Sequence, residues 1–428
     1  MNIAIVGGRV IDPARGLDTT TSLFVQDGVI AGLGEAPAGF MPGRTIDAQG
    51  LVVCPGLIDL RARLREPGLE HKGTVETETH AALAGGITQL CCPPDTNPVM
   101  DTPVAAQWLI DRAQSLGGAR VRPIGALTRA LSGTHLADMH ALHRAGCVGV
   151  GNALVPIKDT AVLRHALEYA AGLGLLVFLT PEDPWMSPVG VIHEGRMATR
   201  LGLAGIPESA ETIEIARALM LIEEARVRAH FCGISSARGA ALIAEAKNRG
   251  LAVTADTPIH QLYVTEDDIG IFDTNYRLRP PARTAADRDA LRAALAAGVI
   301  DALCSDHQPH EADAKERPFS DAEPGIAGLE TLLPLTLRLV ELNTLTLKDA
   351  LAAVTSRPAA LLGIPEGTLG TGRRADICIY NPQATWTPTT ASVRTRGCNS
   401  PFYGTLMRGQ VMVTIQGGRI AYERSEPR

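Results

Sequence analysis

The middle of the chain alternates between apolar runs and helical patterns, and this alternation restricts the possible folds more than any other feature. Helical patterns such as Thr160–Gly172 and Ala285–Ala297 lie between most of the runs. Near-continuous apolar strands that alternate with helices indicate a parallel sheet covered by helices. The strand candidates are Val52–Leu60, Thr88–Cys92, Val121–Leu127, Cys147–Val150, Leu175–Leu179, Arg228–Ile234, Leu251–Ala255 and Asp301–Cys304.

Eight such units over about 300 residues fit a (β/α)8 TIM barrel, which makes the fold class α/β. A doubly wound sheet is the alternative, but no G-x-G-x-x-G follows the first strand to favour it. In a barrel the functional residues lie at the carboxyl ends of the strands. We therefore look for the site in the segments that directly follow the eight apolar runs.

Both ends of the chain have a β pattern that differs from the middle. Short apolar runs separated by Gly-Gly, Asp-Pro and Asp-Gly turns fill the first 50 or so residues, and similar runs with a Gly417-Gly418 hairpin fill the last 60 or so. The pattern predicts a small β-sandwich domain built from both termini, residues 1–52 and 362–428. The barrel is then expected at 53–361.

Composition excludes several classes of protein. Lys+Arg 40 against Asp+Glu 46 gives a net charge of −6, which is far from the basic balance of a nucleic-acid binder. The N-terminus lacks the features of a signal peptide, and no apolar run reaches the ~18 residues of a membrane span. The eight cysteines are scattered without CxxC spacing. These observations predict a cytoplasmic protein with reduced thiols and without a nucleic-acid or membrane partner.

Ordered motifs along the chain are similar to those of one enzyme family. They are Pro55–Leu60, Leu64–Gly68, Gly86–Thr88, Pro94–Pro98, Pro280–Arg283, Asp306–His310, Gly325–Glu330, Gly367–Asp376 and Asn399–Gly404. In this order they resemble the dihydroorotase family of the amidohydrolase superfamily, over essentially the whole chain. The resemblance implies interconversion of dihydroorotate and N-carbamoyl-aspartate at a two-zinc centre, which lowers the pKa of a bound water and clamps the reacting oxygens.

The zinc ligands that the resemblance implies are missing at nearly every position. The family pattern has His-x-His after strand 1, an Asp or carboxylated Lys after strand 4, one His each after strands 5 and 6, and an Asp after strand 8. Here the pair reads Arg61-Ala-Arg63, and Gly149–Ala153 holds no carboxylate or lysine. Two more ligand positions are Thr180 and Gly233, and Asp306 alone survives as a vestige of the centre.

The two arginines argue against any metal at this place. A guanidinium has no available lone pair and stays protonated in proteins. At about 5 Å it repels a divalent ion by roughly 6–7 kcal/mol at an effective dielectric near 20. We therefore predict no catalytic residue, no zinc and no other cofactor. We expect Arg61 or Arg63 to form a salt bridge with Asp306 in place of the metal.

Nearby polar residues do not restore the ligand set. His230 lies three residues before Gly233, an odd offset in a strand, so we expect it to point to the opposite face and to be hydrogen-bonded. His260 is expected to have a supporting role. His307 and His310 could contact a metal, but two histidines of one loop do not make a two-zinc centre. We expect Glu182 and Asp183 to brace their loop.

The substrate side of the pattern is better preserved. By resemblance, Arg65 and Asn97 match residues that hold the substrate carboxylate, Asn275 matches a pocket residue, and His310 is a further remnant. The alternative is that these residues persist as loop braces. The charged stretch Glu311–Pro324 is expected over the barrel mouth, either as a lid or as a solvated loop.

Three functions remain to be compared. The first is a non-catalytic dihydroorotase homologue that acts as structural partner of aspartate carbamoyltransferase in pyrimidine biosynthesis, within a homo-oligomeric or hetero-oligomeric complex. The second is an active cyclic amidohydrolase with one metal near Asp306, His307 and His310. The third is a metal-free binder of a carboxylate ligand through the arginines after strand 1.

Overall fold

The computed structural model describes residues 2–186 and 188–424. In chain order its strands are β1 (Ile3–Asp12), β2 (Leu17–Gln26), β3 (Val29–Leu33), β4 (Arg44–Asp47), β5 (Val52–Pro55), β6 (Leu57–Asp59), β7 (Ile87–Cys92), β8 (Arg120–Ala126), β9 (Gly149–Gly151), β10 (Leu176–Leu179), β11 (Ile192–His193), β12 (Gly205–Ile206), β13 (Arg228–Phe231), β14 (Val253–Pro258), β15 (Ala302–Cys304), β16 (Ile377–Trp386), β17 (Met407–Gln416) and β18 (Arg419–Glu423).

The helices begin where polar side chains cap their first turns. Thr74, Thr102, Asp159, Ser236 and Thr284 each accept a hydrogen bond from the backbone of the helix that follows. None of the described helices is long and apolar enough to cross a membrane. In chain order they are α1 (Val75–Ala84), α2 (Pro103–Leu116), α3 (Met139–Arg144), α4 (Thr160–Gly172), α5 (Arg196–Leu201), α6 (Glu208–Ala225), α7 (Ala237–Asn248), α8 (Ala285–Ala296), α9 (Leu332–Glu341), α10 (Leu347–Ala352) and α11 (Ser356–Leu362).

Eight strands form the parallel barrel in the order β6-β7-β8-β9-β10-β13-β14-β15. Seven of the eight predicted strands of the middle region are present with bounds shifted by a few residues. The prediction of one barrel strand over Val52–Leu60 is wrong, because β5 belongs to the second sheet and only β6 to the barrel. The order follows the sequence without the reversal of a doubly wound sheet, so the predicted TIM barrel is confirmed. The two edges meet through a parallel bridge between Ala62 and His307, which lies at the carboxyl ends of the first and last strands.

Alternating side chains of the barrel strands separate an inner core from an outer one. Phe178, Cys232 and Cys304 pack with Leu60 and Cys91 in one cluster inside the barrel. The neighbouring side chains in sequence belong to the larger core beneath the helices, for example Val177, Ala229, Phe231 and Leu303. This period of two fills the barrel with side chains and leaves polar groups for its mouth.

The two ends of the chain form the second sheet, in the order β18-β17-β16-β5-β1-β2-β3 with β4 beside β1. The N-terminal β5 pairs with both β1 and the C-terminal β16, so neither end completes this domain alone. The chain passes to the barrel at Gly56, between β5 and β6. That point lies beyond the expected boundary at 52/53, and the domain ranges stay a prediction.

One turn prediction in this domain is wrong. Gly7-Gly8 was expected to separate two strands, yet β1 runs unbroken from Ile3 to Asp12. Its register against β2 shifts between Ile5 and Gly8, and Gly7 has φ +72°. The glycines form a β-bulge, which bends a strand without ending it.

Candidate functional site

Arg61, Arg63 and Asp306 meet at the barrel mouth. Arg61 and Arg63 follow β6, and Asp306 follows β15, the strand that closes the barrel beside it. Arg61 Nε lies 2.8 Å from Asp306 Oδ1, and Arg63 Nη1 lies 3.6 Å from the same oxygen. All three side chains are at most 4% exposed. The expected salt bridge is therefore present, and both arginines take part in it.

Charge and burial act against each other in this pair. Burial raises the pKa of the Asp306 carboxyl above its usual range, and the charges of Arg61 and Arg63 oppose that rise. Burial is the largest effect and acts to lower the pKa of Arg61, but the charges of the surrounding acidic groups, Asp306 first, together outweigh it, so that pKa lies above its usual value. We take Arg61 as charged, because a guanidinium does not deprotonate in proteins, and its charge favours an ionised Asp306.

Gly233 makes room for Arg61. A Cβ atom at Gly233 would lie 2.6 Å from Arg61 Nη2, closer than Cβ atoms approach their neighbours. Gly233 also has φ +72°, a conformation that glycine adopts without strain. The replacements at two predicted ligand positions are thus sterically linked, since the arginine lies where any side chain at 233 would begin.

Several buried polar atoms at the mouth have no hydrogen-bond partner among the described residues. They are all three guanidinium nitrogens of Arg61, Nη1 of Arg63, Oδ1 of Asp95 and Nδ1 of His260. The N–H groups of Arg61 are not aimed at Asp306 despite the short distance, so their contact is electrostatic rather than a hydrogen bond. Arg63 is better satisfied, because its Nε donates to Asp95 Oδ2 at 2.7 Å.

His230 is hydrogen-bonded as expected, but the predicted direction of its side chain is wrong. Its Nδ1 lies 2.9 Å from Thr254 Oγ1 and its Nε2 lies 3.0 Å from Asp256 Oδ2. Its ring packs edge-on against Phe178 inside the barrel. The strand ends at Phe231, so the alternation of faces does not continue to Gly233. The three-residue offset between His230 and Gly233 crosses the end of the strand, so it does not predict the face on which His230 lies.

Asp256 connects this histidine to the mouth. Its Oδ1 accepts a hydrogen bond from the Gly233 backbone N–H at 2.6 Å. Burial acts to raise the pKa of Asp256, but the hydrogen bond and charge of His230 and the charge of Arg61 outweigh it, so the pKa lies below its usual value. Asp256 is therefore a second anion that faces Arg61.

The ligating atoms of His230, Cys232 and Asp256 lie within 4.8 Å of one another. The histidine uses both ring nitrogens in hydrogen bonds, and burial raises the pKa of the Cys232 thiol well above its usual value. Cysteine binds zinc as a thiolate, and histidine binds it through a free imidazole nitrogen. With Arg61 beside them, these three residues do not fit a zinc ion, and neither do the residues at the predicted ligand positions.

The two histidines of the strand-8 loop are occupied by protein groups. His307 Nε2 lies 2.9 Å from Glu78 Oε2, and its Nδ1 accepts from the Gly328 N–H at 3.1 Å. His310 lies between two cations, with Arg65 Nη2 at 3.0 Å and Lys72 Nζ at 3.2 Å from its ring nitrogens. Burial and these charges lower the pKa of His310 to about 2.

Of the four predicted substrate-pocket residues, Arg65 and His310 are in contact, whereas no contact among the described residues joins Asn97 or Asn275 to them. Arg65 is half-buried, and its Nε donates to the Pro309 carbonyl at 3.0 Å. Burial and the charge of Arg63 lower its pKa to about 10. Asn97 is exposed. Asn275 donates its backbone N–H to Asp273. The roles of these residues in ligand binding stay predictions.

The segment after β10 has the bracing role that its acidic residues suggested. Glu182 accepts two hydrogen bonds from Arg279, at 2.8 and 2.9 Å. Asp183 Oδ1 accepts from the backbone of Trp185 at 2.9 Å and of its neighbour Met186 at 3.0 Å. Thr180, at a predicted ligand position, is only partly buried. These contacts fix the loop and do not turn its carboxylates toward Asp306.

The charged stretch Glu311–Pro324 is pinned to the protein. Lys315 Nζ donates to the Thr274 carbonyl at 3.0 Å and to the Glu323 carbonyl at 2.6 Å, and Phe319 packs into a small apolar cluster. Burial and the charge of Arg277 lower the pKa of Lys315 to about 7. The stretch is therefore anchored through its buried side chains, while about half of its residues remain exposed.

The sequence reasoning missed the acidic partners of the site. Asp95 lies in the Pro94–Pro98 motif after β7, and Asp256 directly follows the predicted strand Leu251–Ala255 but lies within β14; neither was assigned a role. Glu78 lies in α1 and binds His307 from outside the barrel. The position of Asp95 and Asp256 after a predicted strand was the available signal, whereas the sequence contains none for Glu78.

Comparison with known proteins identifies the family. The dihydro-orotase-like family model matches residues 50–239, and the amidohydrolase family model matches residues 193–421. The dihydroorotase-like protein of Pseudomonas putida is 49% identical over 422 residues, which is 99% of each chain. The chain belongs to the dihydroorotase family. The dihydroorotase of Trichlorobacter lovleyi is 40% identical to this family member, again over 99% of each chain.

Solved structures share the fold of this chain. The L-hydantoinase of Arthrobacter aurescens superimposes on this dihydroorotase-family chain with a TM-score of 0.87 and 26% identity, covering 99% of this chain and 96% of the other. A D-hydantoinase gives a TM-score of 0.84 at 22% identity, over 99% and 95% of the two chains. Both support the barrel with its composite β-sandwich.

Proposed function

We propose that this member of the dihydroorotase family is non-catalytic and acts as a cytoplasmic structural partner of aspartate carbamoyltransferase in pyrimidine biosynthesis. The observation that carries the proposal is the position of Arg61, which is buried between Asp306 and the backbone of Gly233. A fixed positive charge thus lies beside the last acidic residue of the predicted metal centre. The chemistry of the family needs a divalent cation at that place.

Electrostatics and sterics both oppose a zinc ion there. Each arginine within about 5 Å would repel it by roughly 6–7 kcal/mol. Asp306 already compensates Arg61 and Arg63, and Asp95 holds the second guanidinium at 2.7 Å. A histidine at position 233 would collide with Arg61, so one substitution cannot rebuild the centre. A preserved barrel without its metal chemistry fits a scaffold role.

The names of the relatives support the same view. The proteins of Pseudomonas putida and Pseudomonas aeruginosa, 49% and 48% identical, carry the name dihydroorotase-like protein. The protein of Trichlorobacter lovleyi, at 40%, carries the name dihydroorotase. The higher identity is thus to proteins named for likeness to the enzyme.

Co-expression with aspartate carbamoyltransferase of the same organism tests the proposal. We expect the two chains to elute together from gel filtration in a large complex, with far less than one zinc per chain and no dihydroorotate turnover by this subunit. An active dihydroorotase purified in parallel is the control for metal recovery and assay. Separate elution, or near-stoichiometric zinc with turnover that Asp306→Ala abolishes, would overturn it.

A metal-free binder of a carboxylate ligand is the second candidate. The unpartnered nitrogens of Arg61, Arg63 and His260 favour it, because buried donors without acceptors are costly and a bound anion would satisfy them. Calorimetric titration with N-carbamoyl-L-aspartate tests it, with Arg63→Gln expected to weaken binding. The active enzyme with one metal near Asp306 has less support, since both nitrogens of His307 are engaged.

A further inference from the structure

A cleft of about 840 Å³ lies at the end of the barrel opposite the mouth. Arg120 and Val121, at the start of β8, form part of its wall, whereas the residues of the mouth follow the ends of the strands. The C-terminal end of α2 forms a second side. Gly417, in the β17–β18 turn of the sandwich, forms a third. The cleft therefore lies between the two domains.

Four arginines line this cleft, and no acidic side chain is among its described lining residues. They are Arg120, Arg122, Arg374 and Arg419. The chain as a whole has a net charge of −6, so this concentration of positive charge is local. Two of the arginines come from the barrel and two from the C-terminal part of the sandwich, so folding alone brings them together.

Among residues 2–186 and 188–424, the arginines have too few acidic partners to balance their charge. Arg120 and Arg122 share one oxygen of Glu366, at 3.0 and 3.1 Å. Arg374 Nε lies 3.2 Å from Asp376. Arg419 donates to the Gly117 carbonyl at 2.5 Å instead of a carboxylate. Four guanidinium groups thus share two carboxylates.

The crowding of like charges helps to lower the pKa of one of these arginines. Burial and the charges of Arg374 and Arg122 lower the pKa of Arg120. Like-charged groups held together in a concave site attract counter-ions, because the field adds in the cleft. An anion would relieve this repulsion.

We propose that the cleft binds the diphosphate or triphosphate group of a small anion, with the guanidinium groups around the phosphate oxygens. Arginine forks match phosphate oxygens in a bidentate way, and several charges on one ligand would balance the excess. The volume lies within the roughly 300–1,000 Å³ of ordinary ligand pockets. Ile110, Leu116 and Val121 add an apolar surface that suits a nucleoside attached to the phosphates. The site is independent of the chemistry at the mouth.

Isothermal titration of the full-length protein at low salt tests this site with three probes. Inorganic pyrophosphate and adenosine triphosphate are expected to bind one per chain, and adenosine alone is expected not to bind. Pyrophosphate represents a free anion and the triphosphate a nucleotide, so tighter binding of the triphosphate identifies a nucleotide site. Affinity is expected to fall as sodium chloride is added, because salt screens the charges.

Matched variants make the test specific. Arg419→Gln is expected to weaken pyrophosphate binding about tenfold, the size of a lost charge-assisted hydrogen bond. Arg408→Gln is the control: this sandwich arginine is about half exposed, lies 3.5 Å from Glu341 and does not line the cleft. It is expected to bind as the wild type does. Thermal melts of both variants report whether the fold is retained.

Several outcomes would overturn the proposal. One is no binding of pyrophosphate or triphosphate at millimolar concentration in low salt. Another is an equal loss of affinity in Arg408→Gln and Arg419→Gln, which would mark diffuse surface attraction. Adenosine that binds as tightly as the triphosphate would contradict the role of the arginines. An acidic peptide that binds where pyrophosphate does not would assign the cleft to a protein partner instead.

Discussion

Arg61 Nε lies 2.8 Å from Asp306 Oδ1, and both side chains are buried at the mouth of the barrel. Arg63 approaches the same carboxylate oxygen at 3.6 Å. The surviving acidic residue of the predicted metal centre thus neutralises fixed cations. We expect Asp306 to contribute to the stability of the barrel, and this contribution can be measured.

Asp306→Asn is expected to destabilise the protein by about 3–5 kcal/mol, because it leaves two buried guanidinium groups without their shared counter-charge. Urea unfolding followed by circular dichroism gives the free energy of unfolding. Asp18→Asn is the matched control, since its partner Arg9 lies at 2.7 Å but both side chains are largely exposed. That change is expected to cost at most about 1 kcal/mol. If both changes lower the free energy of unfolding equally, burial does not make the Asp306 pair more important for stability than the exposed pair.

Gly233→Ala is expected to destabilise the protein by more than the conformational cost of a left-handed alanine, about 1–2 kcal/mol. The added Cβ would lie 2.6 Å from Arg61 Nη2, so the arginine has to move away from Asp306. The measurement is again the free energy of unfolding in urea.

Gly250→Ala separates the two costs. Gly250 has φ +83°, and a Cβ there meets no atom within 4 Å. It therefore carries the backbone cost without the steric one. If Gly233→Ala costs no more than Gly250→Ala, Arg61 is not held against that glycine.

His260 is expected to make the protein less stable in mild acid. Burial and the charge of Arg61 lower its pKa to about 3 in the folded chain. The unfolded chain binds a proton there near the ordinary pKa of about 6.5, so stability falls as the pH drops from about 6.5 toward 3. At pH 5 the loss amounts to about 2 kcal/mol.

His260→Asn removes this dependence. The difference in unfolding free energy between pH 7.5 and pH 5 is expected to be smaller than in the wild type by about 2 kcal/mol. All other titrating groups are common to both proteins and cancel in the comparison. His140→Asn, on the exposed surface of α3, is the control and is expected to follow the wild type. If the change in unfolding free energy between pH 7.5 and pH 5 is the same in His260→Asn and His140→Asn, the prediction is refuted.

Thiol labelling is expected to detect one fast cysteine in the folded protein. Cys398 is exposed, and the other seven cysteines are buried and free of disulfides. Burial raises the pKa of Cys91, Cys92 and Cys147 to about 12, so little reactive thiolate forms at neutral pH. Titration with a chromogenic disulfide should count one thiol in buffer and eight in guanidinium chloride. The fast thiol should disappear in Cys398→Ser; several fast thiols would contradict the buried placement.

Local patterns in the sequence were sufficient for the architecture. A strand buried on both faces is apolar along its length whatever its neighbours are, so Leu175–Leu179 could be recognised without the fold. A bulge was harder to recognise. Gly7-Gly8 has the composition of a turn, and only the pairing of β1 with β2 shows that the strand continues.

The candidate site was predictable in its residue types and less so in its contacts. The replacement of ligands by Arg61 and Arg63 is visible in the sequence, and so is the survival of Asp306. The link between Gly233 and Arg61 and the hydrogen bond of Asp256 to Gly233 are not visible. They depend on how the ends of different strands approach one another.

The sequence by itself determined that this chain forms a parallel barrel with a β domain from both ends, and that arginines occupy the predicted ligand positions after strand 1. Only the tertiary structure decided that both arginines share Asp306, that His230 points into the barrel, and that four arginines meet in one cleft. The physical reason is how far apart in the chain the interacting residues are. Hydrophobic periodicity reflects neighbouring residues, whereas an ion pair depends on distances between residues that are far apart in the chain.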